Sequence, residues 1–199
     1  FTDYARNAVR LSALMKLPNI FVYTHDSIAL GEDGPTHQPV EHLVTLRSTP
    51  NLESWRPADL VETAVAWKNA VKSKDSPTCL IFSRQNTSAI SRNQNQIDNI
   101  DKGGYLVKEN DNASISLVAS GSELQLILDA AEALEKDFGI ASNVISMPCL
   151  DRFLDNEDYY HSSILKPNLP ILVVELSHPN SGYKLLNEKD KVLGVETFG

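Results

Sequence analysis

Two short, unbroken apolar runs, Ile20-Phe21-Val22-Tyr23 and Cys79-Leu80-Ile81-Phe82, enclose an amphipathic helical pattern, and this order constrains the fold more than any other feature. Runs without polar alternation suit strands buried on both faces, and strands joined through a helix pair in parallel. The helix between them is predicted to open at Pro57, with Leu60, Ala64, Trp67 and Val71 on one buried face, and Ser76-Pro77 separates it from the second run. An earlier stripe, Tyr4, Ala8, Leu11 and Met15, predicts another helix that Pro18 ends.

From Arg84 to Gly104 the chain turns polar, has no strong periodicity and breaks at Gly103-Gly104, which predicts a linker between units. A second unit follows. Ile115 to Ala119 reads as a strand and Ser120-Gly121-Ser122-Glu123 as a turn. Leu124, Ile127, Ala131 and Leu134 form the buried stripe of a helix capped by Gly139. Asn143-Val144-Ile145-Ser146 and Ile171-Leu172-Val173-Val174-Glu175 supply further strands. The predicted class is α/β: two successive units with mainly parallel sheets flanked by helices, without convincing repetition between them. Phe1-Thr2-Asp3-Tyr4 enters a helix at once, and a strand is predicted to be finishing at Thr197-Phe198-Gly199, so truncation at both ends is expected.

A net charge of -8 on 199 residues repels polyphosphate and anionic surfaces, which argues against nucleic-acid or membrane binding. No apolar stretch approaches the roughly 20 residues of a membrane helix and no targeting pattern opens the chain, so a cytoplasmic protein is expected. Cys79 and Cys149 are far apart and read as reduced core or near-core thiols. The sequons at Asn86-Thr87-Ser88 and Asn112-Ala113-Ser114 are read as chance matches.

The chemistry concentrates in residues 25–38, a long polar loop leaving the first buried strand, where open α/β sheets collect ligands. Gly31 and Gly34 permit tight turns and Pro35 and Pro39 stiffen the path, so the loop can present His25, Asp33 and His37 in a fixed arrangement. Two histidines twelve residues apart are, by themselves, ordinary loop residues more often than catalytic ones, and no third close ligand supports zinc.

The sixteen residues Thr24 to Pro39, containing THDS and GEDGPTHQP, closely resemble the substrate-channel signature of transketolases. The resemblance extends through Phe1-Thr2-Asp3-Tyr4-Ala5-Arg6, Trp55-Arg56-Pro57-Ala58-Asp59, Ser83-Arg84-Gln85-Asn86, Gly103-Gly104-Tyr105 and Ser120-Gly121-Ser122-Glu123, and is weak after Pro179. It implies a pyrimidine-binding domain over residues 1–102, truncated at its N-terminus, and a C-terminal domain over 103–199, truncated at its C-terminus. It also implies thiamine diphosphate as cofactor, with Mg2+ or Ca2+ bound by an absent N-terminal domain, and a homodimer with active sites between subunits. The implied reaction moves a two-carbon ketol (glycolaldehyde) unit from a ketose phosphate such as xylulose 5-phosphate to an aldose phosphate such as ribose 5-phosphate, in the pentose phosphate pathway.

Position by position, Phe1 resembles an aromatic packed on the aminopyrimidine, and Tyr4 a further aromatic of that pocket. His25 and Arg84 resemble residues that grip the sugar phosphate. Asp33 resembles an acceptor for a sugar hydroxyl, and His37, which carries the most weight, the imidazole nearest the reacting carbon. The glutamate that activates the cofactor should precede Phe1, so the 199-residue segment alone is expected to be inactive. Dihydroxyacetone synthase, which shares the architecture but uses formaldehyde as acceptor, is the nearest alternative. Deoxyxylulose phosphate synthase fits the GEDGPTHQP run less well, and a non-catalytic transketolase-like interaction protein would not need His25, Asp33, His37 and Arg84 together.

Overall fold

The computed structural model describes residues 1–198, which build two sheets. The first unit runs α1 (Thr2–Leu14), β1 (Ile20–Tyr23), α2 (His42–Arg47), β2 (Glu53–Trp55), α3 (Leu60–Lys72), β3 (Thr78–Ile81) and α4 (Gln94–Ile100). The second runs β4 (Tyr105–Lys108), β5 (Ile115–Ala119), α5 (Glu123–Phe138), β6 (Ser142–Ser146), α6 (Leu150–Leu154), α7 (Asp158–Leu165), β7 (Ile171–Val174) and β8 (Lys191–Leu193). The strand order is β1-β3-β2 in the first sheet, all parallel, and β4-β6-β5-β7-β8 in the second, where only β4 runs antiparallel. The mainly parallel α/β class read from the sequence is therefore the class observed.

Helix α5 follows its pattern closely: Leu124, Ile127 and Ala131 are buried, Leu134 packs against them, and Gly139 ends the helix in the left-handed region. Both cysteines are free and buried, and burial pushes the Cys79 thiol up to about 12, as suits an inert core group.

Helices α1 and α3 correct the sequence reading. The stripe Tyr4, Ala8, Leu11 and Met15 faces outward; Val9, Ser12 and Ala13 are buried instead, with Val9 packed beside Tyr23, Leu43 and Leu46. In α3, Leu60, Ala64, Trp67 and Val71 are exposed, while Glu62, Ala66, Asn69 and Ala70 are buried. In α3 the reason is that donors from both units satisfy a buried carboxylate. Glu62 accepts hydrogen bonds from Tyr105 Oη at 2.7 Å, Ser146 Oγ at 2.6 Å and the Ala58 N–H at 2.7 Å. A carboxylate so satisfied is cheaper to bury than its charge suggests, so it, and not the apolar stripe, sets the face.

Smaller departures have equally local causes. Helix α3 begins at Leu60 and not Pro57, because Asp59 caps it by accepting the Glu62 N–H. β1 lies at a sheet edge and leaves Val22 45% exposed, so burial on both faces does not hold there. The polar stretch after Arg84 contains α4, fixed by a reciprocal capping box between Asn93 and Gln96. No strand runs through Thr197-Phe198; the last is β8, and Gly199 lies outside the described residues.

Asp151, near the start of α6, accepts the Ser54 N–H from β2 across the two units at 3.1 Å. Burial raises its carboxyl to about 6 against the attraction of Arg47. Between its ordinary value near 4 and about 6 the folded protein binds the extra proton, so this group's contribution to stability falls as pH rises through that window. Asp151→Asn, which keeps an acceptor, should therefore stabilise the protein by about 1–3 kcal/mol at pH 7.5 and by little near pH 4. Thermal melts at the two pH values check this; equal shifts at both would contradict it.

Candidate active site

Residues 24–39 leave the carboxyl end of β1, and residues 82–84 leave the carboxyl end of β3, paired beside it with Tyr23 opposite Ile81. Two 3-10 turns, Gly31–Asp33 and Pro35–His37, fold the first segment back on itself. Gly34 joins them at φ 74°, a conformation that costs a side-chain-bearing residue energy. The segment thereby gathers against the start of α1. Phe1 lies edge-on to His25, ring centroids 4.5 Å apart, and to His37 at 5.8 Å; the two imidazoles are 6.3 Å apart, and Tyr4 is 6.2 Å from Phe1.

Each histidine follows a threonine that fixes its ring. Thr24 Oγ1 lies 3.2 Å from His25 Nδ1, and Thr36 Oγ1 lies 2.9 Å from His37 Nδ1. His25 Nε2 faces Asp33 Oδ2 at 3.4 Å, with the histidine side chain 12% exposed and the aspartate 34%. His37 stays exposed, its Nε2 unbonded among the described residues. One imidazole is thus held against an acid, and the other is turned outward from a fixed ring.

Five of the six residues singled out from the sequence meet here: Phe1, Tyr4, His25, Asp33 and His37. Arg84 shares the same sheet edge, three residues beyond β3, and is exposed without an ion pair among the described residues. Nothing in the geometry brings its guanidinium into contact with the imidazoles.

Sequence reasoning missed Asp26 and Arg56. Asp26, next to His25, is buried, and its Oδ2 accepts hydrogen bonds from Arg56 Nη2 at 2.8 Å and Nε at 3.1 Å. A charged residue between Trp55 and Pro57, where the chain was read as a helix start, gave no periodic signal.

The fold and site together define a two-unit α/β protein with an aromatic- and imidazole-lined ligand edge on its first sheet. Residues 1–89 match the family model described as transketolase, pyrimidine binding domain, and residues 103–199 the model described as transketolase-like TK C-terminal domain. Transketolase 1 of Vibrio parahaemolyticus is 47% identical over 201 residues, covering 100% of this chain and 30% of the relative. Transketolase of Buchnera aphidicola is 48% identical over the same extent of both. The crystal structure of Pichia stipitis transketolase in complex with sedoheptulose 7-phosphate superposes with a TM-score of 0.92 at 43% identity, covering 100% of this chain and 29% of that one. The chain belongs to the transketolase family and spans about 30% of the length of the curated relatives it matches.

Proposed function

We propose that the intact protein containing these residues is a transketolase. It transfers a two-carbon ketol unit from a ketose phosphate such as xylulose 5-phosphate to an aldose phosphate such as ribose 5-phosphate, as a cytoplasmic enzyme of the pentose phosphate pathway. The observation that carries this reading is the convergence of Phe1, His25, Asp33 and His37 on one sheet edge in a chain of this family.

Thiamine diphosphate suits the residues present: Phe1 is 43% and Tyr4 88% exposed, an open aromatic surface of the kind a flat heteroaromatic ring stacks on. When bound, the cofactor supplies a nucleophilic carbon and an electron sink for the two-carbon fragment. Phe1 and Tyr4 hold its pyrimidine ring and exclude water. His37, with its ring fixed by Thr36 and Nε2 open, moves a proton at or beside the substrate oxygen. Asp33, oriented by His25, accepts a hydrogen bond from a sugar hydroxyl, and His25 and Arg84 receive the phosphate.

Mg2+ or Ca2+ is assigned to residues outside this chain. Among the described residues the one candidate group is Asp3, Glu41 and His42, in which His42 Nε2 already lies 2.9 Å from Asp3 Oδ2; this does not suit an oxygen-only shell. The activating glutamate is likewise placed before Phe1. A division into domains at 1–102 and 103–199 follows the two sheets. A homodimer agrees with the outward apolar faces of α1 and α3, which include Leu11, Met15, Leu60 and Val71. Among the described residues no helix is long and apolar enough to cross a membrane.

The test is turnover of xylulose 5-phosphate by the intact protein with ribose 5-phosphate or formaldehyde as acceptor, with and without thiamine diphosphate and Mg2+. Cofactor-dependent transfer to ribose 5-phosphate is expected; preference for formaldehyde would select dihydroxyacetone synthase, and full activity without cofactor would refute the proposal. Arg84→Ala should raise KM about 10- to 100-fold for phosphorylated sugars, the loss of charge-assisted hydrogen bonds of about 1.5–3 kcal/mol, and far less for unphosphorylated ones. Equal losses for both would remove Arg84 from the phosphate site.

A further inference from the structure

In the second sheet, β5 is flanked by β6 on one side and β7 on the other, so the carboxyl ends of β5 and β7 form the switch point at which open α/β sheets bind ligands. Here that crevice is filled by two arginines of the first unit. Arg56 Nη1 donates to the Ser120 carbonyl at 3.0 Å, to Ser120 Oγ at 3.2 Å and to Glu123, while Nη2 reaches Glu123 Oε1 at 3.1 Å. Arg47 forks onto Glu175 at 2.7 and 2.9 Å, and Ser120 Oγ donates to the same carboxylate at 2.6 Å. Gly121 makes this possible: a Cβ there would lie 2.9 Å from Arg56 Cζ. The space left beside Arg47 and Glu175 is about 10 Å³, too small for a ligand.

The other side of Arg56 holds Asp26, at the start of the histidine-bearing loop. The far end of the same loop is held by the same sheet edge: Val40 O accepts from the His178 N–H at 2.8 Å and from Ser177 Oγ at 2.9 Å, just beyond β7. Between these anchors residues 31–33 and 35–37 of the loop are exposed.

We infer that Arg56 is a positioning residue and that the second unit, with its ligand crevice given over to arginine, acts as a clamp fixing loop 24–40 at Asp26 and at Val40 so that His25 and His37 face the sugar phosphate. The inference rests on the proposed ketol transfer for its kinetic consequence, but not for its structural one. Misplacement of a substrate-binding group by about 1 Å costs up to 100-fold, so loosening either anchor should appear in substrate affinity before it appears elsewhere.

The test uses the intact holoenzyme and three variants: Asp26→Asn at one anchor, Ser177→Ala at the other, and Asp59→Asn, which disrupts the separate buried pair with Arg92 (2.6 Å) and serves as a stability control. Steady-state kinetics are read together with hydrogen–deuterium exchange over residues 24–40. The expected result is a KM for ketose phosphate raised about tenfold in Asp26→Asn and about threefold in Ser177→Ala, kcat within threefold, and faster exchange confined to the loop. Asp59→Asn should lower the melting temperature with KM and loop exchange unchanged. Unchanged loop exchange and KM in both anchor variants would overturn the clamp, as would the same KM rise in Asp59→Asn. If Asp26→Asn does not fold, Ser177→Ala alone decides. If the wild type transfers no ketol, the functional reading fails, and loop exchange still judges the clamp.

Discussion

Replacing His37 with alanine in the intact protein should lower kcat about 100- to 10,000-fold, the range removed with a positioned acid–base group, while changing thermal stability by less than about 0.5 kcal/mol. The two halves of this expectation have different sources. His37 is exposed, so its removal opens no cavity and strands no buried partner. Its kinetic weight comes from a ring fixed by Thr36 Oγ1 at 2.9 Å and set 5.8 Å from Phe1, with Nε2 left to the substrate. Steady-state kinetics at saturating ketose phosphate, with a thermal melt on the same preparation, give both numbers. A kcat fall below tenfold would remove His37 from proton transfer.

The largest stability effect is expected at Arg56. Its guanidinium is fully buried among Asp26, Glu123 and Ser120; burial opposes its charge, but Glu123 and Asp26 outweigh that and hold it protonated far above any working pH. Methionine matches its length but leaves two carboxylates buried without a counter-charge. Breaking such a cluster from one side costs about 3–5 kcal/mol, whereas replacing all partners with packed apolar groups can be neutral. Arg56→Met should accordingly destabilise the intact protein by about that amount in denaturant unfolding, and a loss under 1 kcal/mol would show that the carboxylates find other partners. The neighbouring Glu175 contributes to acid sensitivity. Burial alone would raise its carboxyl, yet Arg47 holds it down to about 2. Its stabilising contribution is present above the ordinary value near 4.5 and is lost as pH falls towards 2, opposite in sign to that of Asp151.

The parts of the fold that were legible are those whose burial is decided locally. β3 and β5 lie at sheet interiors and carry the apolar runs Cys79-Leu80-Ile81 and Leu117-Val118-Ala119, and α5 has a stripe that ends at a left-handed glycine. What failed was the inward face of α1 and α3. Glu62 turns inward because Tyr105 and Ser146, 43 and 84 residues away in sequence, supply its donors, and no local window contains that information. β2, β4 and β8 are too short, at three or four residues, to show a period. The site was legible through resemblance more than through spacing: His25 and His37 carry no distinctive local signal, and only the whole run from Thr24 to Pro39 did. Asp26 and Arg56 stayed hidden because their meaning depends on Glu123, 67 residues beyond Arg56.

The most direct test of the central claim, that this loop faces the sugar phosphate, is histidine footprinting of the intact holoenzyme with diethyl pyrocarbonate, read by mass spectrometry. Ketose phosphate should protect His25 and His37 at least tenfold and leave His161 and His178 unchanged, with little protection from the unphosphorylated sugar. Equal modification of His25 and His37 with and without ketose phosphate, in a preparation that turns it over, would contradict the account.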